Sequence, residues 1–186
     1  MEILPLTEET MGLEMDLCLR FHPSGYAVPE TDAVEGRRAK EGFLRRVFER
    51  VRPAGFVAVE SGEPVALLEL MPREFARRNG YITGELGEDG ETLTIACLEV
   101  AAGRDRKRVM DAMVAHVVER LDLFAPYRAV EVGAFPRDVD FHPAWVYEKH
   151  GFEVAEDRGR ALVLSVPVPR DGVGNGSECR KGVRCP

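Results

Sequence analysis

Apolar positions along this chain recur with two periods, and the switches between them mark out its elements. Val109, Met110, Met113, Val114, Val117 and Leu121 follow one another at three- and four-residue intervals, which predicts a helix after residue 104. Ala39, Phe43, Leu44, Val47, Phe48 and Val51 predict another over about 33–51, with these side chains on its inner face. A helix is expected between Thr7, a residue of N-cap type followed by Glu8 and Glu9, and about Phe21. "HPSGYAVPETD" (22–32) reads as a loop. Residues 2–6 predict a short strand. "GFVAVESGEPVALLELM" predicts a hairpin turning at Ser61-Gly62. Residues 72–90 read as a loop. "ETLTIACLEV" (91–100) and "YRAVEVGAF" (127–135) predict two more strands. "HPAWVYEKHG" (142–151) predicts a short helix, with Pro143 in its first turn and Gly151 just past its end. A closing hairpin turns near Arg158-Gly159. The order β-α-α-β-β-β-α-β-α-β-β predicts an α/β (α+β) fold, one mixed, largely antiparallel sheet flanked by helices.

The chain has 186 residues, 45% of them hydrophobic, enough for one domain with a core. Residues 1–169 read as that domain. Residues 170–186, rich in Gly and poor in apolar side chains, read as an appended tail carrying two cysteines. Net charge is −7, so the dominant basic surface of a nucleic-acid binder is missing and no nucleic-acid partner is expected. No apolar run approaches the roughly 18 residues of a membrane span. The opening "MEILPLTEET" is acidic without a long apolar stretch, so no leader is expected there and a cytoplasmic protein follows. Cys18, Cys97, Cys179 and Cys185 form no CxxC pair and read as free thiols. A zinc site from Cys18, His22, Cys179 and Cys185 matches no standard spacing, so no metal is assigned.

"VAAGRDRKRVMDAMV" (100–114) raises a question of charge. Arg106, Lys107 and Arg108 fall on the first turn of a helix, where the macrodipole disfavours cations by roughly 0.3–1 kcal/mol each when exposed. A strand running into a helix N-terminus also presents converging amides, a natural seat for an anion. Two readings are open, a solvated basic turn balanced by nearby acids or a phosphate site.

One strand later comes Ala144-x-x-Tyr147-Glu148-Lys149-x-Gly151-Phe152. With the preceding strand, loop and helix, this pattern resembles the GNAT superfamily of N-acetyltransferases, by element order over about residues 2–168 and by motif over 97–121 and 141–152. The resemblance implies a GNAT-like fold, with acetyl-CoA as cosubstrate. It implies that Leu98 and Val100, on the strand Cys97–Val100, lie against the pantetheine arm. It implies that Asp105, Arg106, Lys107, Arg108, Val109 and Met110 form the loop that wraps the pyrophosphate. It assigns Tyr147 as proton donor to the departing thiolate.

The loop departs from the family's Arg/Gln-x-x-Gly-x-Gly/Ala pattern. Asp105 stands for Arg or Gln, Arg108 for the first Gly, Met110 for the last small residue, and Phe141 for the usual Asn of the second motif. Either Arg and Lys side chains take over the phosphates, or cofactor binding is weakened or lost. The first reading makes the chain an acetyl-CoA-dependent N-acetyltransferase of a primary amine. The second makes it a silent ligand-sensing or protein-binding module. The acceptor expected is a small-molecule or peptide amine, and a homodimer is left open. Glu69, in step with Val65, Leu67 and Met71, is one candidate base because burial on an apolar face raises a carboxyl pKa; Glu99 is the other. His142 and His150 read as helix-cap and surface residues.

Overall fold

The protein is described here from a computed structural model covering residues 1–21, 33–85, 87–136 and 141–169. The loop 22–32, with His22, and the tail carrying Cys179 and Cys185 lie outside the described residues. Seven strands form one sheet: β1 (Glu2–Pro5), β2 (Gly55–Glu60), β3 (Glu63–Pro72), β4 (Thr92–Val100), β5 (Ala129–Ala134), β6 (Glu153–Asp157) and β7 (Leu162–Pro167). Their spatial order is β1-β2-β3-β4-β5-β7-β6, and only β4 and β5 run parallel. The helices are α1 (Met11–Phe21), α2 (Ala33–Phe48), α3 (Arg73–Arg78), α4 (Arg106–Glu119) and α5 (Ala144–Glu148). Among the described residues no helix is long and apolar enough to cross a membrane.

The two faces of the sheet follow from strand alternation. Phe56, Leu68 and Leu98 are paired across β2, β3 and β4. Phe56 meets His116 of α4 edge-on at 4.7 Å between ring centroids, so α4 covers this face. Val57, Leu67, Glu69, Cys97 and Glu99 point the other way, where Leu17 and Cys18 of α1 pack on Leu67 and Cys97. Both cysteines are buried free thiols.

Three sequence expectations need correction. The loop expected over 72–90 contains α3, because Arg73 anchors it by a buried pair of hydrogen bonds to Glu131 of β5. The first helix starts at Met11, with Thr10 carrying its opening: the Thr10 carbonyl accepts from Leu13, while the Thr10 hydroxyl accepts from the Thr7 amide. On α2, Ala39 is exposed and Lys40 takes the inward position. Gly133 marks a close approach, since a Cβ there would lie 2.4 Å from that of Ile82. That contact holds the 79–82 segment against β5, at the mouth of the cleft described next.

Candidate functional site

The central feature is a split between the two parallel strands. β4 and β5 are paired from Thr92↔Ala129 to Ile95↔Val132, where the ladder stops. On its other edge β4 stays paired with β3 as far as Val100, with Ala96 as an extra residue between the pairs Leu70↔Ile95 and Glu69↔Cys97. Such a bulge bends the strand and increases its twist, which turns the end of β4 away from β5. The Ala101 amide donates to Val65 of β3. By the alternation of an antiparallel ladder, the backbone groups of Leu98 and Val100 therefore point toward the split. A cavity of about 240 Å³ lies at the split, bounded by Tyr81, Ile82, Ile95, Ala96, Phe141 and His142 among others.

The far end of β4 leads to the basic turn. α4 starts at Arg106, and Asp105 is its N-cap, its carboxylate accepting from the Arg108 amide at 3.2 Å. Asp105 thus supplies negative charge to a helix terminus surrounded by cations. The amides of Val109 and Met110 belong to the helix ladder, with Val109 donating to the Asp105 carbonyl, and both side chains are buried. Neither amide is placed to wrap a pyrophosphate. What the turn offers outward is the side chains of Lys107 and Arg108, both exposed, and the half-buried Arg106. The Lys107 ammonium sits over the Trp145 ring at 5.9 Å from its centroid.

Behind the cavity lies a pair of side chains that sequence spacing separates by only five positions. The Tyr147 hydroxyl is 2.5 Å from His142 Nδ1, and His142 Nε2 is 3.3 Å from the Ala96 carbonyl. A carbonyl only accepts, so Nε2 carries the proton and Nδ1 accepts from the tyrosine. Burial, against the Ala96 hydrogen bond and with Arg106 nearby, pushes the His142 pKa down to about 4. Burial, with the Cys97 thiol nearby, holds the Tyr147 hydroxyl well above its ordinary value. His142 adopts a φ of 45°, and its carbonyl accepts from the Phe135 amide at 2.8 Å. A left-handed backbone at a non-glycine residue is uncommon and here is held by that bond. The expectation of a cap or surface role for His142 is therefore replaced by a buried one. His150 bonds Asp111 on α4, near Lys149.

On the opposite face, Glu69 is buried and ion-paired with Lys40 of α2. Lys40 Nζ lies 2.5 Å from Glu69 Oε1 and 3.2 Å from Glu14 Oε1, and all three side chains are almost wholly buried. Burial, then the neighbouring Glu69 charge, raises the Glu14 pKa well above the ordinary range. For Lys40, burial acts to lower the pKa, and the Glu69 and Glu14 carboxylates more than offset it, so the ammonium persists. Two carboxylates around one ammonium would bury a net negative charge, and that is the physical source of the rise at Glu14. Glu99 lies two residues beyond Cys97 on the same face, also buried. The one sequence signal for these residues is spacing: Lys40 is four residues from the apolar Leu44, and Glu14 is four from Cys18, which puts each on an inward face without showing which group it meets.

No protein-family model matches the chain, and no curated protein sequence matches it significantly. Solved structures do match. An acetyltransferase structure superposes with a TM-score of 0.62 at 12% identity, over 91% of this chain and 100% of that one. The ribosomal-protein-S18-alanine N-acetyltransferase from Escherichia coli matches at 0.54 and 15% identity, over 93% and 97%. Aminoglycoside acetyltransferase AAC(6')-Ib, in complex with ribostamycin and coenzyme A, matches at 0.56 and 18% identity, over 89% and 92%. This chain has the GNAT acetyltransferase fold. In that GNAT frame the split between β4 and β5, the α4 terminus and the His142–Tyr147 pair lie along one continuous stretch of the chain's C-terminal half. Glu69 and Glu99 face the α1 side of the sheet, where Lys40 covers Glu69.

Proposed function

We propose that the protein is an acetyl-CoA-dependent N-acetyltransferase acting on a primary amine. The observation that carries this reading is the split at Ile95: beyond it the backbone groups of Leu98 and Val100 turn to the β5 side with no β5 pairing, and the same strand leads on through 101–105 into the cationic start of α4. An extended arm bearing amides can add itself to such a strand edge, while phosphates at its far end meet Arg106, Lys107 and Arg108. In this chain the side chains of those residues replace the close backbone approach that glycines give. The AAC(6')-Ib complex, of the same fold, holds coenzyme A and an aminoglycoside amine acceptor, which supports a thioester cosubstrate and a small-molecule amine here.

The chain's residues divide the work as follows. Leu98 and Val100 align the arm, the basic turn holds the phosphates, and the His142–Tyr147 pair stands where the thioester would lie. Glu99 and Glu69, on the α1 side of the sheet, are the candidate bases for the amine. Glu69 Oε1 is held by Lys40, so an amine reaches that oxygen only if Lys40 moves off it.

Calorimetric titration with acetyl-CoA, followed by a screen of amines for release of free CoA thiol, tests the proposal. Binding together with amine-dependent thiol release is the expected result. No binding at millimolar acetyl-CoA overturns it.

A further inference from the structure

We propose that His142 is the side chain that meets the acyl-thioester, its Nε2–H donating a hydrogen bond to the negative charge that develops during attack, and that Tyr147 is a positioning residue behind it. This inference rests on the acetyltransferase reading and gives it a different donor from the one the motif implies.

Access decides the first part. Both side chains are almost wholly buried, His142 at 2% and Tyr147 at 0% exposure, but His142 and Ala96 line the cavity at the strand split and Tyr147 is not among its lining residues. The only polar hydrogen that the pair directs toward the cleft wall is on His142 Nε2, now held by the Ala96 carbonyl at 3.3 Å. That bond is slightly longer than the usual 2.7–3.2 Å range, so the proposal requires the Nε2–H to pass from the Ala96 carbonyl to the substrate. The opposite side of the ring is fixed by the 2.5 Å contact to Tyr147.

Chemistry decides the second part. A tyrosine whose burial makes it a weaker acid holds its proton. It serves better as a fixed hydrogen-bond donor than as a source of protons. By occupying Nδ1 it forces the imidazole proton onto Nε2. A neutral imidazole so oriented can polarise a carbonyl or stabilise a leaving sulfur without giving up its proton, and donors aimed at developing charge are worth about 10²–10³-fold in rate. The backbone supports this geometry, since φ of 45° at His142 is maintained by the Phe135 hydrogen bond and by the packing of its ring against Phe141 at 4.1 Å.

The reaction balances without a net change in either residue. The amine nitrogen forms the C–N bond at the thioester carbonyl, the electron pair moves to oxygen, and its return breaks the C–S bond. Sulfur leaves with that bond's electron pair. The surplus proton of the amine passes to solvent, and solvent protonates the sulfur. His142 and Tyr147 each end with the proton they began with.

The test uses the whole chain with ¹⁵N-labelled histidine, titrated with acetyl-CoA and followed by NMR, with calorimetry in parallel. The free protein should show His142 as the Nε2–H tautomer, and acetyl-CoA should move its Nε2 and proton signals. Tyr147→Phe should mix the tautomers while acetyl-CoA affinity stays within about three-fold. With an acceptor in hand, His142→Leu should lower kcat by about 100-fold at unchanged KM for acetyl-CoA. His142→Gln, which keeps an N–H donor, should recover part of that loss, and Tyr147→Phe should cost less than about ten-fold. If acetyl-CoA binds and the His142 signals stay still, the inference is wrong while the acetyltransferase reading stands. Direct proton donation by Tyr147 replaces it if Tyr147→Phe loses 10²–10⁴-fold and His142→Gln keeps the wild-type rate. If acetyl-CoA does not bind at all, the acetyltransferase reading falls and this inference falls with it.

Discussion

Lys40 Nζ stands 2.5 Å from Glu69 Oε1, with 3% and 2% of the two side chains exposed. A helix and a central strand are thereby joined by charge inside the core. Removing one member of a buried pair leaves an uncompensated charge, typically at a cost of 3–5 kcal/mol. Lys40→Met should therefore lower stability by about that much, measured from the midpoint of urea unfolding. A change below about 1 kcal/mol would show that the pair is not formed in solution.

Glu14 should behave differently from Glu69. Its pKa in the fold is raised, so between its unfolded and folded values the native state holds a proton that the unfolded chain has released. Stability contributed by this proton is full below the unfolded value and is lost as pH rises through the folded one. Glu14→Gln keeps the shape of the neutral carboxyl and should flatten that slope with little effect at low pH. Unfolding curves collected across the neutral range would show it, and an unchanged slope would place the proton elsewhere.

His142 gives a slope of the opposite sign. With the folded pKa pushed down to about 4, the unfolded chain binds the extra proton first as pH falls. Stability should be fully present above about pH 6.5 and drain away toward pH 4, by about 3 kcal/mol in total. His142→Gln should remove this acid sensitivity. Thermal melts of both proteins between pH 4 and 7 compare them directly.

The basic turn predicts a salt effect. Replacing Lys107 and Arg108 together by Ala should weaken acetyl-CoA binding at least ten-fold and flatten its dependence on ionic strength, because both cations are exposed at the helix opening. Calorimetry at two salt concentrations measures both quantities. Equal affinity for the two proteins would return the turn to an ordinary solvated surface.

Asp105 separates the helix's needs from the cofactor's. Asp105→Ala removes the cap on Arg108 and should cost about 1 kcal/mol of stability. Asp105→Asn keeps a capping oxygen while deleting a negative charge beside the basic turn. It should leave the melting temperature nearly unchanged and tighten acetyl-CoA binding by a few-fold. Weaker binding by the Asn variant would mean that the carboxylate itself orders the basic turn.

The order of strands and helices was legible in the sequence because each element writes its period locally. α4 is apolar at the positions its geometry buries, β4 carries the apolar run Ile95–Leu98, and Gly151, with φ of 86°, follows the Tyr147 turn as its place in the motif implies. Charge patterning also located the cationic turn, since Arg106, Lys107 and Arg108 are neighbours in the chain. The pairing of Lys40 with Glu69 spans 29 positions, and that of His142 with Ala96 spans 46. No local period encodes such contacts, and hydrophobicity argues against them by assigning Lys and His to the surface. Whether a carboxylate on β3 is a base or half of an ion pair depends on which side chain the folded chain lays over it. The same holds for Tyr147. The sequence determined that a tyrosine sits one turn before the glycine, but only the tertiary structure put His142 between its hydroxyl and the cleft. The bulge at Ala96 turns the end of β4 aside, and the segment entering α5 sets His142 against the Ala96 carbonyl at the edge of the cavity this leaves.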